Sequence, residues 1–276
     1  MSTLKAVFIS DIHLAPDQDW SQCIWKYTPN WEIPGLLQKW QKIVNEEIRP
    51  DVVFELGDRI IDVDRETDLK NTKDVYNAVD GAVNCPVFHV DGNHDFRNIT
   101  KDEMADILHS SRLPYFKILD GWKLIFFDSL DPMIEGVGGE VGEAQLEWLR
   151  QRMNEDDLPK IVFSHHPLNY HQIHRNFLIP EGTYHLMSVK NSAQVIDILE
   201  HGKNFVAHCS AHLHFWAFRS SPKGTYLVNP PISAAHPAFK DAPGWFMEAT
   251  FSTDGTVDAV IHSINPRRVV GDFTNR

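Results

Sequence analysis

The chain has 276 residues, of which 42% are hydrophobic, and a formal net charge of -12. This length and apolar content suffice for a buried core in one large domain or two small ones, and a charged fraction of 23% argues against disorder. The acidic balance disfavours extended nucleic acid as a partner, because that affinity comes largely from Lys and Arg. A small anionic substrate remains possible, because bound cations can reverse the local field.

Short apolar runs bounded by polar turns recur along the chain and predict strands that are buried on both faces. In chain order they are Lys5–Ser10, Val52–Leu56, Pro86–Val90, Lys123–Asp128, Ile161–Ser164, Phe205–Cys209, Thr225–Asn229, Met247–Ser252 and Thr256–His262. Between them, apolar residues recur at helical spacing, as in the stripe of Leu36, Trp40, Ile43 and Val44. The alternation predicts an α/β fold in one domain over 1–276, with a second sheet packed on the first.

Two long connections, 14–33 and 167–191, interrupt this rhythm and are typical of functional loops. The aromatic residues in the first of them are Trp20, Trp25, Tyr27 and Trp31. They could stack on a nucleobase or serve as packing anchors.

The cysteines and the apolar runs bear on the cellular location of the protein. Cys23, Cys85 and Cys209 are odd in number, lack metal-type spacing and predict reduced thiols. The first residues lack the layout of a signal peptide, and no apolar stretch approaches the length needed to cross a bilayer. We therefore expect a cytoplasmic protein without a membrane partner; a homo-oligomer is possible.

Metal-ligand residue types follow the ends of the predicted strands. The segments are Asp11-Ile12-His13, Gly57-Asp58-Arg59, Gly92-Asn93-His94-Asp95, Ser164-His165-His166-Pro167 and Ser210-Ala211-His212-Leu213-His214. Because ligands of open α/β sheets bind beyond the carboxyl ends of the strands, these side chains are expected to meet.

The chemistry of this set favours two transition-metal ions. Asp11 and His13 are two residues apart, so both can point to one side of an extended segment, and His212 and His214 repeat that spacing. The two carboxylate oxygens of Asp58 can bridge two ions. Mixed Asp, His and Asn ligands suit Mn, Fe or Zn better than Ca or Mg. Glycines before Asp58 and Asn93 allow sharp backbone turns there.

In their order and spacing these five motifs resemble the calcineurin-like metallophosphoesterase superfamily over the chain from Ala6 to Phe215. The segment 142–149 followed by His-His-Pro is similar to the cyclic-nucleotide and glycerophosphodiester phosphodiesterase branch. The resemblance implies a four-layer α/β/β/α sandwich of two mixed sheets flanked by helices, with a dimetal site at the strand carboxyl ends.

The resemblance also implies roles for individual residues. Asp11, His13 and His214 would hold one metal and Asn93, His165 and His212 the other, with Asp58 shared between them. His165 is preferred to His166 as the ligand because it stands two residues before Pro167. His94 would be the catalytic histidine, and Asp95 would orient it. Ala211 stands where the family usually has Gly, which matters only if that position needs a positive φ.

The implied reaction is hydrolysis of a small phosphate ester by a hydroxide that the two metals share, with His94 protonating the leaving group. A phosphodiesterase acting on a cyclic nucleotide or a glycerophosphodiester is the leading hypothesis. A small-molecule phosphomonoesterase is the nearest alternative. A non-catalytic metal-binding scaffold is an alternative of a different class.

Five further residues are candidates for contacts with a substrate phosphate. They are Arg59, Arg97, His166, His171 and His174. Each has a plainer interpretation as well. The arginines could form ion pairs with nearby carboxylates, and the histidines of the 167–191 loop could belong to a solvated surface.

Overall fold

The computed structural model describes residues 2–15, 32–136, 138–168, 182–233 and 242–275. Within these ranges two six-stranded sheets pack face to face between outer layers of helices, which confirms the predicted four-layer α/β/β/α sandwich.

The first sheet has the strand order β14-β13-β12-β1-β2-β3. Its strands are β1 (Thr3–Ile9), β2 (Val52–Glu55), β3 (Val87–His89), β12 (Trp245–Ser252), β13 (Val257–Ser263) and β14 (Arg268–Thr274). The strands β1, β2 and β3 are parallel, whereas β12 to β14 form an antiparallel meander beside β1. The carboxyl ends of β1, β2 and β3 therefore lie at one edge.

The second sheet has the order β10-β11-β9-β8-β5-β4, and a short pair, β6-β7, stands apart from it. These strands are β4 (Tyr115–Leu119), β5 (Trp122–Phe126), β6 (Leu130–Asp131), β7 (Glu140–Val141), β8 (Lys160–Phe163), β9 (Phe205–Ser210), β10 (Ala217–Ser220) and β11 (Thr225–Val228). Because β5, β8, β9 and β11 are parallel, this sheet also has one edge of carboxyl ends.

Side-chain alternation along the strands builds the layers. In β1, Leu4, Ala6 and Phe8 enter the core between the two sheets, while Val7 and Ile9 face the outer helical layer. This period of two is the geometry of a pleated strand. Since both faces are covered, the strand is apolar almost throughout, as its sequence predicted.

Helices cover the outer faces of both sheets. They are α1 (Ile33–Lys42), continued by a π-helix (Ile43–Ile48), and α2 (Arg65–Val79) on the first sheet, with α4 (Glu143–Asn154) and α5 (Ser192–His201) on the second. The short helix α3 (Lys101–Ile107) packs beside α2, and a 3-10 turn is present at Tyr184–Leu186. In the part of the chain that the structure describes, none of these helices has the length and apolar character needed to span a bilayer. The thiols of Cys85 and Cys209 are free, and Cys23 lies outside the described residues.

Candidate active site

Seven side chains of metal-ligand type converge where the carboxyl ends of both sets of parallel strands meet. Asp11 and His13 follow β1, Asp58 follows β2, and Asn93 follows β3. His165 follows β8 in the second sheet, and His212 and His214 follow β9. The structure therefore brings all seven predicted ligands together from both sheets.

The first group consists of Asp11, His13, Asp58 and His214, each with one ligand atom within 4.8 Å of the others. The Nε2 atoms of His13 and His214 are 3.1 Å apart, and His214 Nε2 is 3.4 Å from Asp11 Oδ1. Asp58 Oδ2 lies 3.7 Å from His13 Nε2. Three of these four side chains are buried, so the potential ligand atoms are close together and largely shielded from solvent.

The second group lies on the other side of Asp58. His165 Nε2 is 3.3 Å from Asp58 Oδ2, 3.2 Å from Asn93 Oδ1 and 3.3 Å from His212 Nδ1. Asp58 Oδ2 is therefore close to a histidine of each group. A carboxylate in this position could be shared by two ions, one held by each group.

In His165 and His212, the ring nitrogen that points away from the site forms a hydrogen bond, which leaves the other nitrogen for a metal. His165 Nδ1 lies 2.7 Å from the carbonyl oxygen of Leu56, and His212 Nε2 lies 3.0 Å from that of Leu186. A carbonyl only accepts, so these nitrogens carry the protons and donate them. In the neutral form of each ring, the lone pairs of His165 Nε2 and His212 Nδ1 then face the site, as metal ligands require.

The charges and an unsatisfied atom fit a pair of cations. Asp11 Oδ1 is buried and accepts no well-aligned hydrogen bond from the described residues, although His214 Nε2 lies 3.4 Å away, so a cation would satisfy it. Burial lowers the pKa of His13 to about 3 and that of His212 to about 4, so both rings are neutral ligands near pH 7. Burial opposes charge on Asp58, but the neighbouring His165 and His94 hold the pKa of this carboxyl well below its usual range.

Five of the ligand residues have left-handed backbone conformations. The φ angles are 49° for Asp11, 50° for His13, 54° for Asp58, 70° for His212 and 57° for His214. The prediction that Asp11 and His13 share one side of an extended segment is therefore wrong in its geometry, although both still reach the same group. Non-glycine residues in this region store strain, and such residues cluster at functional sites. Ala211 does not adopt a positive φ, so alanine fits there.

Two glycines allow the motif loops to approach each other closely. A Cβ on Gly57, whose φ is +91°, would lie 2.5 Å from the backbone nitrogen of Gly92. A Cβ on Gly92 would lie 2.2 Å from Asp58 Oδ1. Only glycine at both positions lets the loops after β2 and β3 share the space beside the shared carboxylate.

His94 lies over the first group and is oriented by Asp62, a residue that the sequence reasoning missed. His94 Nδ1 is 2.5 Å from Asp62 Oδ1, and the His94 backbone N–H donates to Asp58 Oδ1 at 2.9 Å. The His94 and His13 rings are in edge contact, with centroids 5.1 Å apart. Burial alone would lower the pKa of His94, but the carboxylates of Asp58 and Asp62 outweigh it and raise the pKa.

The predicted role of Asp95 as the residue that orients His94 is therefore wrong. The Asp95 carboxylate accepts the backbone N–H groups of Asp58, Arg59 and Gly92 at 2.8 to 3.0 Å. It also accepts a hydrogen bond from Arg59 Nη1 at 2.8 Å. Both oxygens thus tie the loop after β2 to the loop after β3, and Asp95 positions the backbone of Asp58.

Arg59 is wrong as a candidate for contact with a substrate phosphate. Its side chain is fully buried and pairs with Glu55, with Asp91 at 3.1 Å and with Asp95 at 2.8 Å. It also donates to the Val90 carbonyl at 2.8 Å. The alternative of an ion pair, which the sequence left open, is the one that the structure shows.

The remaining substrate candidates have different surroundings. Arg97 is largely exposed, and its Nε lies 3.8 Å from Asp62 Oδ2, near the partner of His94. His166 is buried beside His165 and His212. His171 and His174, like the aromatic residues Trp20, Trp25, Tyr27 and Trp31, lie outside the described residues.

Comparison with known proteins agrees with this arrangement. A family model described as calcineurin-like phosphoesterase matches residues 4–215. A crystal structure of a dimetal phosphatase from Danio rerio is similar with a TM-score of 0.73 at 18% identity, and the alignment covers 98% of both chains. At this identity the likeness concerns the fold.

Two curated relatives are similar over shorter stretches. A probable cyclic nucleotide phosphodiesterase of Synechococcus sp. is 25% identical over 184 residues, which are 66% of each chain. A probable cyclic nucleotide phosphodiesterase of Fibrobacter succinogenes is 31% identical over 99 residues, which are 34% of this chain and 36% of that protein. The family model spans most of the sequence and contains His94 and all seven predicted ligands, so the chain belongs to the calcineurin-like phosphoesterases.

Proposed function

We propose that the protein is a metal-dependent phosphodiesterase that hydrolyses a small diester, with a cyclic nucleotide as the preferred substrate. The observation that carries the proposal is the position of Asp58 Oδ2, 3.7 Å from His13 Nε2 and 3.3 Å from His165 Nε2. One carboxylate oxygen thus lies between two sets of nitrogen and oxygen ligands, beside a histidine that can exchange a proton.

The ligand set accounts for the binding of two ions. Asp11, His13 and His214 would hold one ion, and Asn93, His165 and His212 the other, with Asp58 common to both. Ions in such a pair lower the pKa of water and neutralise charge on phosphoryl oxygens. The metals are proposed to be Mn, Fe or Zn, because imidazole nitrogen ligands predominate.

His94 is the proposed general acid. The carboxylates of Asp58 and Asp62 favour its protonated form, and Asp62 holds Nδ1 so that Nε2 is the nitrogen left for the substrate. A protonated imidazole beside the phosphate can transfer its proton to the departing alkoxide oxygen. Asp62 then keeps the ring in position and balances its charge.

The preference for a diester is supported by the two similar proteins named as probable cyclic nucleotide phosphodiesterases. A reducing compartment, the cytoplasm, is the proposed location of the reaction, and the free thiols of Cys85 and Cys209 support it.

The test is a substrate panel with protein loaded with Mn²⁺, Fe²⁺ or Zn²⁺. We expect faster hydrolysis of bis-p-nitrophenyl phosphate than of p-nitrophenyl phosphate, and release of a nucleoside monophosphate from 3′,5′-cyclic AMP. Asp58→Ala should lose both metal and turnover, while Asp74→Ala, on the solvent-facing side of α2, keeps both. Faster cleavage of the monoester would assign a phosphomonoesterase. Folded, metal-loaded protein that leaves every ester intact would refute the activity.

A further inference from the structure

We propose that His166 is a hydrogen-bond donor to a non-bridging oxygen of the substrate phosphate, and that the Ser129 hydroxyl fixes its ring for that task. The inference rests on the proposed phosphoesterase function and extends it to two residues outside the metal and proton-transfer set. It also assigns Ser129, which comes from the β5–β6 connection, a role that its own sequence context does not indicate.

The first observation is the position of the His166 ring. One ligand nitrogen of each of His165, His166 and His212 lies within 4.8 Å of the others. The His166 and His212 ring centroids are 4.1 Å apart, and the His166 side chain is almost fully buried. The His166 ring therefore lies directly beside the second group of ligand side chains.

Two roles fit that position, and the location of a proton separates them. A metal ligand needs a lone pair on the nitrogen that faces the site, whereas a phosphate donor needs an N–H there. The hydrogen bond at the opposite nitrogen of the ring determines which of the two is present.

The second observation is the hydrogen bonding of Ser129, which is fully buried. Ser129 Oγ accepts the backbone N–H of His166 at 3.2 Å and lies 3.0 Å from His166 Nδ1. Within the described ranges the Ser129 hydroxyl has no other partner to which it can donate. A buried hydroxyl that donates to nothing is costly, so its proton goes to His166 Nδ1.

The consequence is that His166 Nε2 carries a hydrogen. With Nδ1 accepting from Ser129, the neutral ring has its proton on Nε2, and a cationic ring has one there as well. Nε2 is then a donor in both charge states and does not supply a lone pair to a metal. A phosphate ester offers acceptor oxygens, so it is a partner that fits this donor.

In a neighbouring serine–histidine pair, Ser164 and His208, the hydrogen bond runs in the opposite direction. The backbone group that each serine contacts determines the direction. Ser164 Oγ donates to the backbone carbonyl of His166 at 2.8 Å, so towards His208 Nε2, 2.9 Å away, it acts as acceptor. Ser129 instead accepts from a backbone N–H and must donate to its histidine. The backbone of His166 is held from both sides by these serines, which keeps the ring direction fixed.

The experiment compares His166→Gln with His166→Asn. The amide nitrogen of Gln reaches the position of Nε2, whereas that of Asn reaches only the position of Nδ1. Both variants should bind the full complement of Mn²⁺ by elemental analysis, because His166 is not a ligand. Calorimetry with inorganic phosphate should show about a tenfold loss of affinity in His166→Asn and a smaller loss in His166→Gln, as expected for removing one hydrogen bond to a charged group.

Ser129→Ala tests the positioning role. Without the hydroxyl the ring is free to place its proton on Nδ1, so phosphate affinity should fall while the metal content is retained. His262→Asn is the matched control, because His262 is buried in β13 and contacts Glu248 and Arg267 rather than any ligand. This variant should bind phosphate and Mn²⁺ as the wild type does.

Two results would overturn the inference. Loss of Mn²⁺ from His166→Asn, with both metals kept in His262→Asn, would make His166 a ligand. Full metal content with unchanged phosphate affinity would remove it from substrate binding. Metal content and phosphate affinity are measured without turnover, so failure of the wild type to cleave esters would refute the proposed function separately from either result.

Discussion

At the scale of single residues, the side chains proposed as metal ligands are distinct from His94, the residue proposed to transfer a proton. Asp58 Oδ2 lies close to His165 Nε2 and His13 Nε2, whereas Asp58 Oδ1 accepts the backbone N–H of His94. The shared carboxylate therefore fixes the proposed acid relative to both ligand groups. Removal of the acid and removal of the shared ligand should have different consequences.

We expect His94→Ala to keep its metal and lose most turnover. The His94 ring belongs to neither group of ligand atoms, and general acid catalysis contributes about 10²–10⁴-fold to rate. The measurement is kcat for bis-p-nitrophenyl phosphate together with metal analysis of the same sample. His201→Ala, at an exposed histidine on α5, is the control, and full turnover in His94→Ala would exclude the ring from the mechanism.

Asp62→Asn should lower kcat by about tenfold or more, because it weakens the contact that positions the His94 ring and favours its protonated form. Metal content should be unchanged, because Asp62 is not among the proposed ligands. The change should be smaller than that of His94→Ala, since the ring remains. Steady-state kinetics and metal analysis give both quantities. A variant with wild-type kcat would show that the 2.5 Å contact does not serve catalysis.

The sequence was sufficient to predict residue types at the strand ends but not the contacts between them. The seven side chains that meet at the site were predicted because each follows a recognisable strand. Asp62 was missed because its link to His94 spans 32 residues, and only the fold brings the two together. Arg59 was assigned to substrate because a sequence does not show that three carboxylates surround it in the interior.

At the scale of elements, the loops after β2 and β3 form one unit. Asp95 accepts backbone N–H groups from both loops, and Gly57 and Gly92 are in direct backbone contact. The conformation of Asp58 therefore depends on residues that never touch a metal. A change in this loop pair should affect the metals without removing a ligand.

We expect Gly92→Ala to lose metal affinity and about 1–3 kcal/mol of stability. Its Cβ would lie 2.2 Å from Asp58 Oδ1, and inserting a methyl group into a closely packed site costs about that much. Metal titration and urea unfolding measure the two effects. Gly35→Ala, at a glycine of α1 with open space around its Cβ and no positive φ, is the control for adding a methyl group.

Strands with a continuous apolar run were predictable, whereas strands that mix exposed and buried residues were not. The strands β1, β2, β3, β5, β8, β9, β11, β12 and β13 all correspond to predicted runs. The missed strands β4, β10 and β14 lie at sheet edges, where exposed and buried residues mix and the continuous apolar run is lost. The helix α3 was missed because Met104 is its only fully buried residue.

At the scale of the whole molecule, each ligand group draws on both sheets. His214 from the second sheet joins Asp11, His13 and Asp58 from the first. Asn93 from the first sheet joins His165 and His212 from the second. Ions held by these groups would connect the two layers at one edge.

Metal should therefore raise the melting temperature. A ligand at about 100 times its Kd adds about 2.7 kcal/mol to the free energy of unfolding, which corresponds to several degrees in a protein of this size. Thermal melting with added Mn²⁺ and with a chelator measures the shift. Asp58→Ala should show little dependence on metal, and equal melting temperatures for wild type in both conditions would contradict the prediction.

Stability should also depend on His89. Burial opposes its charge, but hydrogen bonds to Asp80 and Glu55 outweigh it and raise its pKa above 6.5. A pKa raised by folding contributes stability fully below about pH 6.5 and loses that contribution as pH rises through the folded value. Urea unfolding of wild type and His89→Gln from pH 6 to 9 should give a stability difference that shrinks as pH rises. A difference independent of pH would be contrary to this expectation.

The left-handed conformations of five ligand residues have a consequence for divergence within the family. Each costs of order 1–3 kcal/mol for a side chain other than glycine, and the cost is tolerated for the chemistry that Asp and His provide there. In a lineage that no longer hydrolyses phosphate, glycine or asparagine at positions 11, 13, 58, 212 and 214 would relieve the backbone at no functional loss. Substitutions of that kind, read from a sequence alone, should therefore distinguish descendants that have abandoned catalysis from those that retain it.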